Sequence, residues 1–413
     1  VSCLSASAQS PEILTLDDAF TRVDQSHPDL RLVEGKRRFL SAELEKALLP
    51  PGLTAGVDLE NALGTGDASG FKQAEISLTL AGVLEGGGKL DARRTLAQSR
   101  IDALAVERET KRLDLLAEIA RRYLAVNAAQ RQHRIAEQDV TQRKRTVAGA
   151  KQRLDAGASP ESVVLTAQAA LARAEMERDR AQQRGVAARQ HLAALWGERN
   201  PTFDVVGGNP LVLPDIAAFA ELDALLDTTP ELARFTNEQR IGEARMQLAR
   251  SQATPDLDWK VGVRRLQATD DFALIGSVSM PLGSARRAQP ELRAAEAELA
   301  LVDIEREIQG LSLYSTLAEA HGRYLVSQLE VGRMQSDVLP KLARAESAAE
   351  RAYRGGAISY LEWAQLQSER TNARKQQLEA ALDAQRALIE IQRLTGQAFV
   401  ASPASQTNQE TTP

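Results

Sequence analysis

The chain has 413 residues, enough for more than one compact domain. It is 43% hydrophobic but only 4% aromatic, and much of the apolar content is alanine, which suits closely packed helices better than a thick globular core. The net charge of −5 arises from acidic and basic residues interspersed along the chain. No basic patch with interleaved aromatics occurs, so nucleic acid is not an expected partner.

Val1 to Gln9 reads as the tail of an export signal, with Ala6-Ser7-Ala8 fitting the small-residue pattern before a cleavage site. Val1-Ser2-Cys3 also fits a lipoprotein processing site, which would leave Cys3 lipidated. Cys3 is the one cysteine, so no disulfide forms within the chain. His27, His133, His191 and His321 lie far apart without a second ligand at helical spacing, and none is read as a metal ligand. There is no run of about 18 apolar residues, hence no transmembrane helix.

Leu14 to Asp24 predicts a short helix that stops near His27-Pro28, and Leu30 to Leu49 a second one that ends at Pro50-Pro51. The period then changes. Leu53, Ala55, Val57 and Leu59 alternate with Thr54, Gly56, Asp58 and Glu60, a strand signature over about 53–62. A turn rich in Gly, Asp and Ser (Gly64–Gly70) leads to a second strand, about 71–82, with Ala74, Ile76, Leu78 and Leu80 on one face. Gly86-Gly87-Gly88 ends the hairpin. It lacks the first glycine of a phosphate loop, and Leu90 replaces the Ser/Thr that would reach magnesium. A helix of about 89–152 follows, with Leu113, Leu116, Ala120 and Tyr123 at coiled-coil spacing. At ~1.5 Å per residue it is roughly 90 Å long, far beyond a globular helix. Asp155–Pro160 turns the chain into a return helix, about 160–196.

After a connector at 200–214 the pattern restarts. Pro230-Glu231-Leu232 repeats Pro28-Asp29-Leu30, Arg323-Tyr324-Leu325 repeats Arg122-Tyr123-Leu124, and Gly356-Ala357 repeats Gly157-Ala158, at offsets of 202, 201 and 199. A nearly constant offset indicates an internal duplication: repeats at 9–199 and 215–397, with a disordered tail at 398–413. The second repeat carries strands at about 256–266 and 271–282 and helices at about 286–353 and 359–395. Each repeat thus ends a long helix pair in a tip turn, away from its hairpin. At the second tip Ser359 and Glu362 have capping-box spacing.

The strands have one apolar and one polar face and about the length that crosses a bilayer in a β-barrel. Such a barrel must close, and the smallest use about eight strands. A chain offering four cannot close one alone, so several copies would share it. Trp259 and Phe272 would suit the interfacial girdle, and Asp58, Glu60, Glu75, Lys260 and Arg264 a wet lumen. The alternative is a half-buried sheet in a soluble protein.

This duplicated order resembles the TolC family of outer-membrane efflux ducts over about Leu14 to Gly396. Carrying residues are Leu14-Thr15-Leu16-Asp17-Asp18-Ala19, His27-Pro28-Asp29-Leu30, the Gly-rich hairpin exits, and Tyr353-Arg354-Gly355-Gly356-Ala357-Ile358-Ser359 with Glu362 and Gln367. The last pattern is similar to the heavy-metal branch, the outer-membrane partners of cobalt–zinc–cadmium or cobalt–nickel resistance pumps. His27 stands where the family usually has Asn. The resemblance implies a mainly α protein with a small membrane β part: a homotrimer whose α-barrel continues into a 12-stranded β-barrel in the outer membrane of a Gram-negative cell, with a long periplasmic extension. It implies a passive duct rather than an enzyme, with no cofactor. Its partners would be outer-membrane lipid, a periplasmic adaptor (membrane fusion protein) and an RND-type, proton-driven inner-membrane transporter, and its cargo divalent heavy-metal cations. A duct for drugs or secreted proteins remains an alternative, and a soluble coiled-coil scaffold a more distant one. By resemblance Glu362 and Gln365 take the aperture positions, where a ring of carboxylates attracts cations. Gln365 departs from the doubly acidic pattern. Gly157, Ala158, Gly355, Gly356 and Ala357 are expected at the adaptor-docking tips.

Overall fold

The computed structural model describes residues 13–206 and 208–399. Strand β1 (Ile13–Leu14) leads into α1 (Leu16–Ser26), which Thr15 and Asp18 start with a reciprocal capping box. Helix α2 (Pro28–Ala47) begins at Pro28, whose fixed φ and missing N–H suit a first turn. The first hairpin is β2 (Thr54–Glu60) and β3 (Glu75–Leu84). Then come α3 (Lys89–Asp102), α4 (Leu104–Asp155) and α5 (Glu161–Ala193). The second half brings β4 (Asp204–Val205), α6 (Phe219–Leu226), α7 (Pro230–Ser251), β5 (Leu257–Leu266) and β6 (Asp271–Ser279). It ends with α8 (Ser284–Arg333), α9 (Leu339–Arg354) and α10 (Tyr360–Thr395).

Two of the long helical stretches are interrupted where the sequence reads as continuous. Ala103 separates α3 from α4. A π turn at Met334–Val338 separates α8 from α9, immediately before Pro340. Proline offers no N–H to the carbonyl four residues back and its ring presses on it, and a wider turn relieves both.

The chain divides into two compact units that cut across the halves of the sequence. One takes residues through Arg31, Thr110–Thr229 and Leu311 onward. The other takes Leu32–Glu109 and Pro230–Gly310.

The first unit is helical. Its core joins Leu14, Leu16, Ala19 and Val23 to Ile119 and Val126 of α4, Leu192 of α5, and Phe203 and Val205 of the connector. Burying each of the larger side chains contributes about 1.5–3 kcal/mol. Within it β1 and β4 pair in parallel. Tyr123 and Tyr324 do similar work: Tyr123 donates to the carbonyls of Leu14 (3.0 Å) and Val206 (3.3 Å), and Tyr324 donates to that of Pro214. Burial pushes both phenols up to about 12.

The second unit holds a four-stranded antiparallel sheet in the order β2-β3-β5-β6, with the two hairpins joined through β3 and β5. At its helical end α3 packs on α7. The hairpin exit is closely fitted: Gly87 has φ +69°, and a Cβ there would lie 2.6 Å from the Thr254 side chain and 2.8 Å from the Ser251 carbonyl oxygen. The largely buried Lys89 donates to Asp256 at 2.7 Å, and Arg93 grips Glu85 with two hydrogen bonds of 2.5 and 2.7 Å.

Candidate functional site

The two tip turns share one local design. α4 ends with Gly157 N–H donating to the Leu154 carbonyl and Ala158 N–H to that of Arg153, each at 2.8 Å. α9 ends with Gly356 N–H on the Tyr353 carbonyl at 3.0 Å and Ala357 N–H on that of Ala352 at 2.8 Å. Both are Schellman ends built on a left-handed glycine, at φ +68° for Gly157 and +81° for Gly356. Gly355 stays right-handed at φ −78°, so only the second glycine of the pair makes the turn.

The helices that follow start differently. α5 follows Pro160 with no side-chain cap, whereas α10 has the full capping box. Ser359 N–H and its Oγ–H each donate to Glu362 Oε2 at 2.8 Å, and Glu362 N–H donates to Ser359 Oγ at 3.3 Å. Those hydrogen bonds hold the Glu362 carboxyl below its usual range. Glu362 is nonetheless exposed. Gln365, also exposed, donates to Glu369 at 3.1 Å. Glu362, Gln365 and Glu369, at spacings of three and four, therefore form one exposed stripe on α10.

Gly157, Ala158, Gly355, Gly356 and Ala357 are all exposed. The structure brings the two tips together through residues that sequence reading missed. The Arg153 guanidinium lies 4.9 Å from the Tyr353 ring centroid and donates to the Tyr353 carbonyl and, at 3.3 Å, to that of Ala158. Beneath it Tyr353 stacks on Trp363 at 5.0 Å and meets Tyr360 edge-on at 6.3 Å. One apolar cluster includes Val147, Ala150, Val164 and Ala167 from the first tip and Tyr353, Tyr360 and Trp363 from the second. Three large aromatics within eleven residues of a chain that is 4% aromatic was the available signal.

Behind the tips a polar seam joins α4, α9 and α10. Thr146 and Gln367, both buried, bond each other. Arg143 reaches Ser368 at 3.1 Å, and Thr371 donates to Asp139 at 3.2 Å. Glu346, 3% exposed, receives Gln142 at 3.1 Å and pairs with Arg370 at 2.6 Å. Burial raises its carboxyl above the usual value, with Arg370 opposing.

In the sheet unit the register sorts side chains by face. Val57, Leu59, Ile76, Leu78, Leu80, Val261, Val263, Leu274 and Val278 share one face. All are exposed, Leu274 by 88%. The opposite face carries an ion-paired ladder. Lys260 meets Asp58 at 3.2 Å, and Arg264 meets Glu60 at 2.9 Å, Glu75 at 2.6 Å and Ser77 at 2.9 Å. β2 and β6 are unpaired edges of this sheet among the described residues.

No helix among the described residues is long and apolar enough to cross a membrane, and no group of three or more His, Cys, Asp or Glu is placed to hold a metal. Cys3 lies outside the described residues.

The profile of a family described as outer membrane efflux protein matches residues 22–198 and 222–397. The chain is 28% identical over 314 residues, 76% of its own length and 75% of the other's, to the cobalt-zinc-cadmium resistance protein CzcC of Cupriavidus metallidurans. Its fold is similar to that of CusC (TM-score 0.76, 17% identity, 95% of each chain). It is also similar to that of a membrane protein from Pseudomonas aeruginosa (TM-score 0.77, 18% identity, 92% of each chain).

Proposed function

Because the chain belongs to the outer membrane efflux protein family, we propose that it is the exit duct of a proton-driven tripartite pump that expels divalent heavy-metal cations. The family is one of channels, not enzymes. The observation that carries the channel reading is the open sheet, apolar and exposed on one face, ion-paired on the other, and unpaired at both edges. In lipid the edge amides must be satisfied, and joining β6 of one copy to β2 of the next does so. Three copies, as in the TolC-like pattern of the sequence, give a closed barrel of 12 strands, within the range known for such barrels. The apolar face then meets lipid and the Lys260 and Arg264 ladder lines water. The tip turns form the periplasmic mouth that docks an adaptor, and the Glu362, Gln365, Glu369 stripe lines its aperture. Carboxylates there favour cations.

The likeness to CzcC supports a cargo of divalent cations, with selection among them left to an upstream RND-type transporter. Disruption of the gene should sensitise the source bacterium to cobalt, zinc, cadmium or nickel and leave organic-drug tolerance unchanged. Drug sensitivity without metal sensitivity would instead assign a drug duct.

A further inference from the structure

Taking the sheet as the membrane part, as in the preceding reading, we propose that Arg265 is a binding residue for the phosphate of lipid A at the outer-leaflet rim. Paired positions in the register share a face, and the apolar face comprises Ala55, Val57 and Leu59 of β2, alternate residues Ile76 to Leu84 of β3, alternate residues Leu257 to Arg265 of β5, and alternate residues Phe272 to Val278 of β6. Arg265 is the one charged side chain among them. It sits one residue from the end of β5, at the end of the sheet closed by hairpin turns rather than joined to helices. From Leu257 to Arg265 the strand covers about 27 Å, which at a barrel tilt of about 40° is roughly 20 Å of height, most of an apolar band about 25 Å tall. A cation at mid-band would cost several kcal/mol, and one at the rim little. The position is therefore the boundary of the apolar layer, where anionic headgroups begin.

The surroundings fit a phosphate. The Arg265 guanidinium lies 5.9 Å from the Phe272 ring centroid, and Phe272 is 70% exposed on the same face. Asp270 accepts from Nη2 at 2.8 Å and is the one hydrogen-bond partner of the Arg265 guanidinium among the described residues. The fork retains further donors in the geometry that matches phosphate oxygens. The pair with Asp270 is exposed, and such pairs hold their partners weakly. The turn Phe71–Ala74 lies alongside, tied by Gln267 N–H to the Ala74 carbonyl at 3.0 Å, and it offers exposed Phe71 and exposed Lys72. The nearby carboxylates Glu60 and Glu75 occupy the opposite face, held by Arg264. At this rim Arg265 faces outward, while Glu60 and Glu75 face inward with Arg264, an arrangement that an outer leaflet of phosphorylated glycolipid would select.

The test is native mass spectrometry of the purified full-length oligomer, with added lipid A, dephosphorylated lipid A or phosphatidylglycerol, on wild type, Arg265→Gln and Arg265→Lys. Wild type should retain lipid A in preference to the other two. Arg265→Gln should lose about tenfold in retention, and Arg265→Lys, which keeps the charge but not the fork, should fall between Arg265→Gln and wild type. Equal retention of lipid A by wild type and Arg265→Gln, or no preference by wild type for the phosphorylated lipid, overturns the proposal. The latter reads on wild type alone should Arg265→Gln fail to assemble. Loss of the membrane reading itself is separately visible, because wild type would then partition into the soluble fraction without detergent.

Discussion

At the scale of single residues, the tip is decided by backbone handedness and by one carboxylate. Gly356 has φ +81° and Gly355 has φ −78°, so a methyl group should act oppositely at the two. Gly356→Ala should cost about 1 kcal/mol by forcing a Cβ into the left-handed region. Gly355→Ala should be neutral or gain about 0.5 kcal/mol by restricting the unfolded chain. Thermal midpoints of the two variants check this. Glu362 has two candidate roles, and they separate by measurement. As a cap, its carboxyl is held low by Ser359, so the stability it adds is present above the unfolded pKa and is lost as pH falls through the lower folded one. Glu362→Gln should remove that acid-side dependence. As an aperture residue, the same variant should reduce cation preference in single-channel recordings. Unchanged ion selectivity would leave Glu362 as a cap alone. The cap was legible in the Ser359 and Glu362 spacing. Arg153 was not, because its partner Tyr353 lies 200 residues away and the two meet only through folding.

At the scale of elements, periodicity and punctuation located helices and strands, and side-chain packing set their ends and interruptions. The second strand reads from about residue 71 in sequence but pairs from Glu75, since Phe71–Ala74 is a turn. The π turn follows from Pro340. The hairpin exit is stricter than composition suggested: Gly87→Ala meets Thr254 and the Ser251 carbonyl as well as a positive φ. It should lower the yield of folded protein well beyond the effect of Gly88→Ala, where no neighbour lies within 4 Å. Lys89→Met leaves Asp256 with Gly86 N–H and only the more distant Arg93 as a cation. Because Asp256 is 30% exposed and can be hydrated, the loss should be about 1 kcal/mol, the scale of a partly exposed charged hydrogen bond. In the seam, Glu346 has a raised folded pKa, so its penalty is greatest when ionised. The stability difference between wild type and Glu346→Gln should therefore move in favour of wild type as pH falls from that raised value towards 4.5, and denaturant midpoints across that range would show it.

At the scale of the whole molecule, the decisive question is what covers the apolar face of the sheet. Leu274, on the edge strand β6 two residues inside the rim at Phe272, is 88% exposed. On a soluble sheet Leu274→Arg should change stability by no more than about 0.5 kcal/mol. On a lipid face between midplane and rim it should cost about 1–3 kcal/mol and reduce the heat-labile oligomer recovered from the outer-membrane fraction. Recovery at the wild-type level would remove the barrel from the reading.

The switch from helical to alternating period and the capping motifs were set by local sequence, because each depends on neighbours within one or two turns of the chain. The sheet shows where that stops. Alternation in each strand marked an apolar face, but only the β3–β5 pairing put two hairpins from different halves side by side, gathered Asp58, Glu60, Glu75, Lys260 and Arg264 into one ladder, and left Arg265 alone among apolar neighbours. Partners some 200 residues apart have no local signature, since their register is chosen by the competition among all pairings the folded chain permits.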